Sequence, residues 1–411
     1  MKNVSLFSLS CFCAAELFAA ASAVPRVDES AVSMEQASDR LVTVSYKLTD
    51  APGIVTIDFQ TNSTVGWVSI GAENFQNVGG DVNCIVTELD TTKTITWRPE
   101  VSWEGHVVTN GLRAVVKAWA LDNPPPYMAI NLGVDDFIAF YPDAGAVPGG
   151  ITDDIYKTEW LLMRRIPAAN VVWRMGSPLG EIGKNYDDTN NFRETPHLVR
   201  LSSDYYMGVY EVTEYQYLRA MNKSLSEIGA DKYLMPKNNI KWDDIRGYGS
   251  TGKDYEWPKN KPAVSPTSFM GFMRNRWSAA GNFDLPTEAQ WEYAARGGQS
   301  GGTKYSGSNT IDDVAWYRDN SNNKTHPVGT KSPNALGLYD MSGNLWEWCL
   351  DWYGDYPSQA QTNPQGPTSG YDRVGRGGCW VLNAEYCRVS DHDGSNPSLR
   401  GNSLGFRVVL L

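Results

Sequence analysis

The last hundred or so residues contain no long periodic element, and this feature most limits how the chain can fold. From residue 297 onward Gly, Asn, Ser, Asp and Pro dominate, and only short apolar islands such as GLYDM (337–341) and GFRVVL (405–410) interrupt them. Such a stretch needs other support, which packed tryptophans, bound cations and disulfides commonly supply. The chain has 15 Trp and 21 Tyr among its 411 residues, so aromatic side chains are available for such a core.

Residues 40 to about 140 follow a different pattern, in which polar and apolar side chains alternate. The segments VTVSYKL (42–48) and VTIDFQT (55–61) each place every second, apolar side chain on one face. This two-residue period is typical of half-buried strands. Turn sequences such as DAPG, NVGGD and NPPP separate the runs. The spacing predicts a β-sandwich accessory domain at residues 35–140, with no catalytic cluster in it.

The composition changes again after residue 140. The segment YPDAGAVPGG (141–150) is rich in Pro, Gly and Ala, which disfavour both helices and sheet ladders. We therefore expect residues 141–154 to be a linker. A second domain is predicted at residues 155–411, with short helices and strands mixed with loops. The predicted fold class of the whole chain is α+β.

Helix starts in the second domain are marked by capping residues. Thr213 and Thr287 are each followed three residues later by a glutamine, so each predicts a capping box. Ser265 precedes a proline and a run of apolar residues, which predicts a helix capped by that serine. Gly297 follows the second of these helices at the position where a helix-ending glycine is common.

The N-terminus and the net charge restrict the partners and the location of the protein. Residues 1–23 combine Lys2, a mostly apolar run and the small-x-small sequence Ala21-Ser22-Ala23, which predicts a cleaved signal peptide and export to the periplasm, cell surface or medium. The alternative is a buried N-terminal helix. No later stretch reaches the ~20 apolar residues of a membrane helix. The net charge of −11 argues against a nucleic-acid partner.

Seven stretches of the second domain carry a specific pattern. They are RMGS (174–177), YYMGVYEVTEYQY (205–217), KPAVSP (261–266), LPTEAQWEYAARGG (285–298), HPVGTKSPNALGLYDMSGNLWEWCLDWY (326–353), RVGRGGCW (373–380) and LGFRVVL (404–410). In this order and spacing the region from 170 to 411 resembles the formylglycine-generating enzyme family, also called sulfatase-modifying-factor domains. The resemblance implies a C-type-lectin-like fold with little regular structure and a core of stacked aromatic rings.

The resemblance also implies bound calcium. In the family, the segment matching SGNLWEW (342–348) wraps one ion, and here the ligands would be the Asn344 side chain, the Glu347 carboxylate and nearby backbone carbonyls. The alternative is that Asn344 caps a turn and Glu347 pairs with an arginine. Arg407 is expected to be a structural ion-pair partner. A second family site falls within residues 312–323, where no ligand set is evident.

The cysteines decide between an enzyme and a binding protein. Enzymes of the family oxidise a sulfatase cysteine to formylglycine with O2, and they bind Cu(I) through two thiolates that follow the segment matching GGCW. Here the two positions hold Leu382 and Cys387, and Cys379 stands where the family has a serine. The resemblance thus implies a degenerate oxidase site. The alternative is a copper-dependent formylglycine-generating oxidase whose catalytic residues are Cys387 and Cys379.

Resemblance to relatives with similar WEWC and EYCR segments further implies a disulfide, or a buried thiol contact, between Cys349 and Cys387. A bridge that closes such a loop would stabilise the fold by about 3 to 4 kcal/mol in the chain-entropy model.

The segment after residue 380, VLNAEYCRVSDHDGSNPSLRGNS (381–403), is rich in side chains that offer adaptable hydrogen bonds. It also resembles the variable regions of retroelement-diversified lectin-like proteins. The predicted function is that of a calcium-stabilised scaffold or binding protein for a protein, peptide or glycan ligand. The predicted ligand-binding residues are Trp380, Asn383, Tyr386, Arg388, Asp391 and His392.

Overall fold

Two antiparallel sheets face each other in the first part of the chain. The computed structural model describes residues 23–106, 108, 111–178, 181, 194–247, 257–259, 263–299 and 302–411. One sheet has the order β1-β3-β8-β6 with β2 also paired to β3, and the other has the order β5-β4-β7 with β9 also paired to β4. The strands are β1 (Arg26–Val27), β2 (Ser33–Gln36), β3 (Val42–Thr49), β4 (Gly53–Ser63), β5 (Gly66–Ser69), β6 (Gly79–Gly80), β7 (Cys84–Val86), β8 (Thr92–Trp97) and β9 (Leu112–Trp119).

The alternation read from the sequence explains why these sheets pack. On β3 every second side chain is buried, from Val42 to Leu48, and the side chains between them are partly exposed. The buried row faces Phe59 of β4, whose ring stacks on Trp97 with centroids 4.3 Å apart. The two rows belong to one hydrophobic core, so the predicted β-sandwich is confirmed.

A six-stranded sheet of order β11-β10-β12-β15-β22-β16 forms the centre of the second part. A three-stranded sheet (β13-β14-β18) and a four-stranded sheet (β20-β19-β17-β21) accompany it. The strands are β10 (Tyr127–Asn131), β11 (Ile138–Tyr141), β12 (Trp160–Ile166), β13 (Val172–Met175), β14 (His197–Arg200), β15 (Tyr205–Gly208), β16 (Phe283–Asp284), β17 (Trp346–Trp352), β18 (Gln361–Thr362), β19 (Arg373–Arg376), β20 (His392–Ser395), β21 (Leu404–Gly405) and β22 (Val409–Leu410).

Helices are few and short, which makes the fold α+β as predicted. The α-helices of the described residues are α1 (Pro99–Ser102), α2 (Glu214–Ala220), α3 (Trp242–Arg246), α4 (Phe269–Arg276), α5 (Glu288–Ala295) and α6 (Ile311–Val314). Short 3-10 helices lie at Glu29–Ala31, Ala72–Phe75, Asp154–Lys157, Leu225–Glu227, Ala230–Lys232 and Ala384–Cys387.

Two of the three predicted helix starts are confirmed. Thr213 and Thr287 accept hydrogen bonds at the starts of α2 and α5, and both capping boxes are complete. Gly297 follows α5 with φ of +75°. The third start was wrong, because α4 is capped by Ser268, while Ser265 accepts hydrogen bonds from that residue in a preceding turn.

Buried arginines hold the loop-rich part of the chain together. Arg407 donates to the backbone oxygens of Gly208 and Tyr339 at 2.8 and 2.7 Å, and Arg373 donates to Leu350 O at 2.7 Å. Each of these bonds joins segments that are distant in sequence. Burying a guanidinium is costly unless its donors are used. The arginines that are almost completely buried are Arg246, Arg373, Arg376, Arg388 and Arg407.

The boundary between the two parts lies earlier than the sequence indicated. The predicted sandwich ran to residue 140, but β10 and β11 pair with each other, and β10 pairs with β12 of the six-stranded sheet. The predicted linker (141–154) is packed, because Val147 is fully buried and its carbonyl accepts from the Gln76 side chain at 2.9 Å. Apolar side chains in this segment outweigh its Pro and Gly content.

The structure bears on the expected absence of a membrane helix but not on the predicted signal peptide. In the part of the chain that the structure describes, no helix has the length and apolar character needed to cross a bilayer. The predicted signal peptide, residues 1–23, lies outside the described residues except for its last alanine. Export therefore remains a prediction from the sequence.

Candidate functional site

The turn that follows β19 brings two cysteines together. Gly378 has φ of +71°, and a Cβ placed there would lie 2.8 Å from Cys387 Sγ and 2.4 Å from Tyr386 O. Only glycine fits this close approach. Because Gly378 directly precedes Cys379, the backbone beside Cys379 lies close to the Cys387 thiol. The two predicted catalytic residues therefore belong to the same turn region.

Burial makes both thiols poor ligands and poor nucleophiles at neutral pH. It raises the pKa of Cys379 to about 11. Burial also holds the pKa of Cys387 well above its usual range, and the neighbouring Cys379 adds to this effect. Reactive and metal-binding cysteines act as thiolates. Leu382, where the family has its first thiolate, packs against the hydrophobic cluster that contains Cys379.

The predicted disulfide between Cys349 and Cys387 is wrong. Both residues are free thiols, and they lie in different hydrophobic clusters. Cys349 lies on β17 among residues such as Trp291, whereas Cys387 packs against Tyr305. Each sulfur therefore fills its own part of the core as a small apolar group.

Asn344, expected to bind calcium, instead connects two loops. Its side chain donates to Glu211 Oε2 at 2.7 Å and accepts from the backbone N–H of His326 at 3.0 Å. Its backbone oxygen accepts from Trp380 N at 2.9 Å. Asn344 is fully buried and has φ of +59°, a conformation that asparagine tolerates better than most residues. One residue thus fixes the loop of His326 and the turn of Trp380.

Glu347, the other expected calcium ligand, is engaged by Arg407. The guanidinium donates to Oε1 at 2.7 Å and to Oε2 at 3.0 Å, and Trp291 Nε1 donates to Oε2 at 2.7 Å. The carboxylate is fully buried. This is the ion pair that the sequence offered as the alternative to calcium, and Arg407 is the structural partner that was predicted.

These two side chains do not fit a calcium site as they are arranged. The oxygens that calcium needs already accept hydrogen bonds, and a guanidinium lies where a second cation would be repelled. Across the ranges described above, no group of three or more His, Cys, Asp or Glu could hold a metal ion. In residues 312–323, where the resemblance implies a second calcium site, Asn320 donates to Asp312 Oδ1 at 3.1 Å and to Ala315 O at 3.0 Å.

Besides Glu347, two further buried carboxyl groups, those of Glu211 and Asp340, lie near Arg407. Burial raises the pKa of Asp340 to about 6. Burial, together with Asp340 and Glu347, holds the pKa of Glu211 well above its usual range. Repulsion from the neighbouring carboxylates thus adds to burial in raising the pKa of Glu211.

Half of the predicted ligand-binding residues are buried and belong to ion pairs. Arg388 donates to Glu194 and Asp391 at 2.9 Å each. His392 Nδ1 lies 2.6 Å from Glu288 Oε1. Because these side chains are nearly inaccessible to solvent, the prediction that Arg388, Asp391 and His392 bind a ligand on the surface is corrected.

The other predicted residues are partly exposed, and two of them are hydrogen bonded to the loop between Trp316 and His326, two rings that the sequence did not single out. Trp316 and His326 stack with ring centroids 3.8 Å apart at 12°. Ser321 joins this stack to Trp380, since its hydroxyl donates to Trp380 O at 2.7 Å and its carbonyl lies 2.8 Å from His326 Nε2. Asn383 accepts a hydrogen bond from the neighbouring Arg318 at 2.8 Å. We call Trp316, His326, Trp380 and Asn383 the binding face.

The binding face borders a cavity of about 460 Å³. His326 lines the cavity and also stacks on Trp316, and Asn238 Nδ2 and Trp380 Nε1 both donate to Asn402 O. Side chains of both charges lie around it. The cavity is lined by Glu214, Asp231, Lys232, Met235, Pro236, Asn238, Lys324, Thr325, His326 and Pro327.

The remaining predicted residue, Tyr386, is partly buried and packs against the main core. Sequence reasoning missed Trp316 and His326, because their stacking depends on a contact between separate loops. The sequence offered one signal for each residue. Trp316 lies within the segment 312–323 that the family resemblance also covers, and His326 begins the matching stretch 326–353.

Comparisons with known proteins agree with the resemblance seen in the sequence. The profile of the sulfatase-modifying factor enzyme 1-like domain (FGE-sulfatase) matches residues 170–410. The chaperone protein LppX of Paenibacillus barcinonensis is 32% identical over 50% of this chain and 80% of its own length. The formylglycine-generating enzyme of Streptomyces coelicolor is 36% identical over 30% of this chain, and the match spans 46% of that enzyme.

Among solved structures, Treponema denticola variable protein 1 is 30% identical, with a TM-score of 0.46. The match covers 61% of this chain and 95% of that protein.

Proposed function

Within the sulfatase-modifying factor enzyme 1-like family, to which the chain belongs, we propose that this protein is exported, binds a polypeptide at the binding face and does not oxidise cysteine. The observation that argues against cysteine oxidation is the burial of both thiols near Leu382, which raises the pKa of each. A Cu(I) centre needs two thiolates that converge on the ion. Here ionising them would place charge in an apolar core.

The form of the binding face supports a polypeptide ligand. It joins half-buried aromatic rings to a cavity with amide, basic and acidic side chains. Lys331 Nζ lies 4.2 Å from the Trp316 ring centroid, so a cation already contacts that ring. Such a mixture of rigid aromatic and adaptable polar groups is common in surfaces that bind peptides and proteins. The related LppX is named a chaperone, a class of protein that acts on polypeptides.

The test begins with selection of peptides from a phage-displayed random library on the full protein, followed by fluorescence anisotropy with the best labelled peptide. We expect Trp380→Ala and His326→Ala to weaken binding by about tenfold or more, as truncation of a central aromatic contact does. Tyr371→Ala is the control, because this side chain is 93% exposed and outside the binding face. Equal losses in all three variants, or selective binding to a glycan array instead, would overturn the proposal.

One observation favours the alternative of an oxidase, namely that the backbone beside Cys379 approaches the Cys387 thiol closely. Anaerobic titration with Cu(I) against a competing chelator tests it, together with mass spectrometry of a sulfatase-derived cysteine peptide after incubation with O2. We expect no retained copper and no aldehyde product. Copper retention that disappears in Cys387→Ser would establish the oxidase and remove the proposal of a degenerate site.

A further inference from the structure

The β-sandwich and the six-stranded sheet do not close completely on each other. A cavity of about 640 Å³ lies between them, and its lining includes neither a cysteine nor a residue of the binding face. Ligand sites commonly occupy such junctions between structural units and have volumes in this range. Its apolar wall consists of Ile54, Ile85, Leu121, Met128, Phe140 and Leu410.

Both units contribute to this wall, and their spacing is fixed. Ile54 of β4 belongs to the same hydrophobic cluster as Met128, Phe140 and Leu410 of the six-stranded sheet. The backbone N–H of Phe140 donates to Asn83 O at 2.8 Å, which joins β11 to the segment before β7. The space is therefore bounded by strands that are hydrogen bonded to one another, and it does not depend on a loose side chain.

Two charged residues of the cavity wall, Arg165 and Asp204, satisfy each other. Arg165 donates to Asp204 Oδ2 at 2.6 Å and to Pro124 O at 2.6 Å. The other oxygen of Asp204 accepts from the backbone N–H groups of Ala168 and Ala169 at 2.9 and 2.8 Å. No unused positive charge of this ion pair faces the cavity.

The rim of the cavity adds acidic and neutral polar groups. Asp122 is exposed there, next to Asn123, Ser203 and Asn282. An anionic ligand would meet the Asp122 carboxylate without gaining a free cation in return. Hydroxyl and amide groups can instead bind a neutral polar head.

From this arrangement we propose that the junction is a binding site for a small uncharged amphiphile, with its apolar tail between the two sheets and its neutral head at the rim. Apolar surface on both sides of the tail would be removed from water.

A peptide segment does not fit the same walls. Ile54 is paired to Ile85 on one side and to Trp119 on the other, so β4 offers no free edge there. Met128 is likewise paired on both sides, to β11 and β12. A peptide backbone in this cavity would lose hydrogen bonds to water without gaining a partner from β4 or β10, which is costly. A molecule without a peptide backbone avoids that cost.

The experiment titrates the full protein with the uncharged probe 1-N-phenylnaphthylamine and, separately, with the anionic probe 1-anilinonaphthalene-8-sulfonate, both followed by fluorescence. We expect saturable binding of about one uncharged probe per chain and at least tenfold weaker binding of the anionic one. Ala280→Trp places a large ring in the cavity wall and should weaken binding of the uncharged probe about tenfold. Ser278→Trp is the matched control, because Ser278 is exposed and outside the cavity.

Circular dichroism and thermal unfolding show whether Ala280→Trp is folded. If it is not, Leu121→Gln replaces it, since a partly buried amide in the wall should also weaken binding of the apolar probe. Absence of saturable binding, equal affinity in the altered and control proteins, or preference for the anionic probe would each overturn the proposal. Trp380→Ala should leave probe binding unchanged, so this site succeeds or fails separately from the polypeptide site.

Discussion

The carboxylate of Glu347 and the guanidinium of Arg407 form a fully buried ion pair with hydrogen bonds of 2.7 and 3.0 Å. The pair joins β17 to the segment between β21 and β22. Trp291 Nε1 satisfies the carboxylate further at 2.7 Å. Removing one partner of such an ion pair strongly destabilises the fold, because the remaining charge stays buried.

Glu347→Gln should therefore lower the free energy of unfolding by about 3 to 5 kcal/mol, the usual cost of leaving one buried charge unpaired. Guanidinium denaturation followed by tryptophan fluorescence measures the change. The measurement is made with EDTA and again with 1 mM Ca²⁺. If the main role of Glu347 were to bind calcium, EDTA alone would destabilise the natural protein by a similar amount, and the substitution would have little further effect in EDTA.

Substitution of Asn344 should loosen both loops that it connects. Asn344→Gly keeps a residue that tolerates φ of +59° but removes the amide contacts to Glu211 and His326, whereas Asn344→Ala adds backbone strain as well. We expect Gly to cost about 1 to 3 kcal/mol, since a buried carboxyl loses its donor, and Ala to cost more. Hydrogen exchange should become faster at the amides of His326 and Trp380 in both variants. Unchanged exchange at these two amides would contradict the role assigned to Asn344.

The sequence predicted the regular parts of the fold because their signals are local. The alternation in β3 and the capping boxes at Thr213 and Thr287 depend only on neighbours within a few residues. The boundary at residue 140 was misplaced because β10 (Tyr127–Asn131) is a short apolar strand whose sequence does not show which sheet it joins. Only its pairing with β12, some thirty residues later, assigns it to the other sheet.

The candidate site was harder to predict because burial in loops leaves no periodic trace. Arg388 and His392 look like exposed polar residues in a loop sequence, but each pairs with a carboxylate from a distant segment. Asn344 was predicted to bind calcium, and the sequence could not show that His326 and Trp380 would be its partners. Long-range contacts of this kind decide which polar residues remain at the surface.

The three core thiols should be unreactive in the folded protein. Cys349, Cys379 and Cys387 are at most 1% exposed, and burial raises the pKa of each. Alkylation with iodoacetamide under native conditions, followed by peptide mass spectrometry, should leave all three unmodified. After denaturation without a reductant, all three should react. Peptides that contain Cys349 and Cys387 joined by a disulfide would contradict the separate positions of these residues.

The last prediction concerns pH and a buried carboxyl group on β17. Burial raises the pKa of Asp351 to about 8, with the carboxylate of Glu288 as the next cause, and Asp351 Oδ2 accepts from the backbone N–H of Glu288 at 2.8 Å. The folded protein therefore keeps a proton that the unfolded chain releases near pH 4, so stability falls as pH rises from about 4 to 8. One such group contributes a slope of at most about 1.4 kcal/mol per pH unit.

Asp351→Asn should remove this contribution, because an amide can accept the same hydrogen bond at every pH. Denaturation midpoints at pH 6, 7 and 8 should fall in the natural protein, and the fall should be smaller in the variant. Asp355→Asn, at an exposed position nearby in sequence, is the control and should keep the natural slope. Burial also raises the pKa of Asp340, to about 6, and those of Glu211 and Asp391, and these groups are present in both proteins. The difference in slope between the natural protein and Asp351→Asn therefore isolates Asp351. A slope that is the same in Asp351→Asn as in the natural protein would show that this carboxyl group is ionised in the folded state.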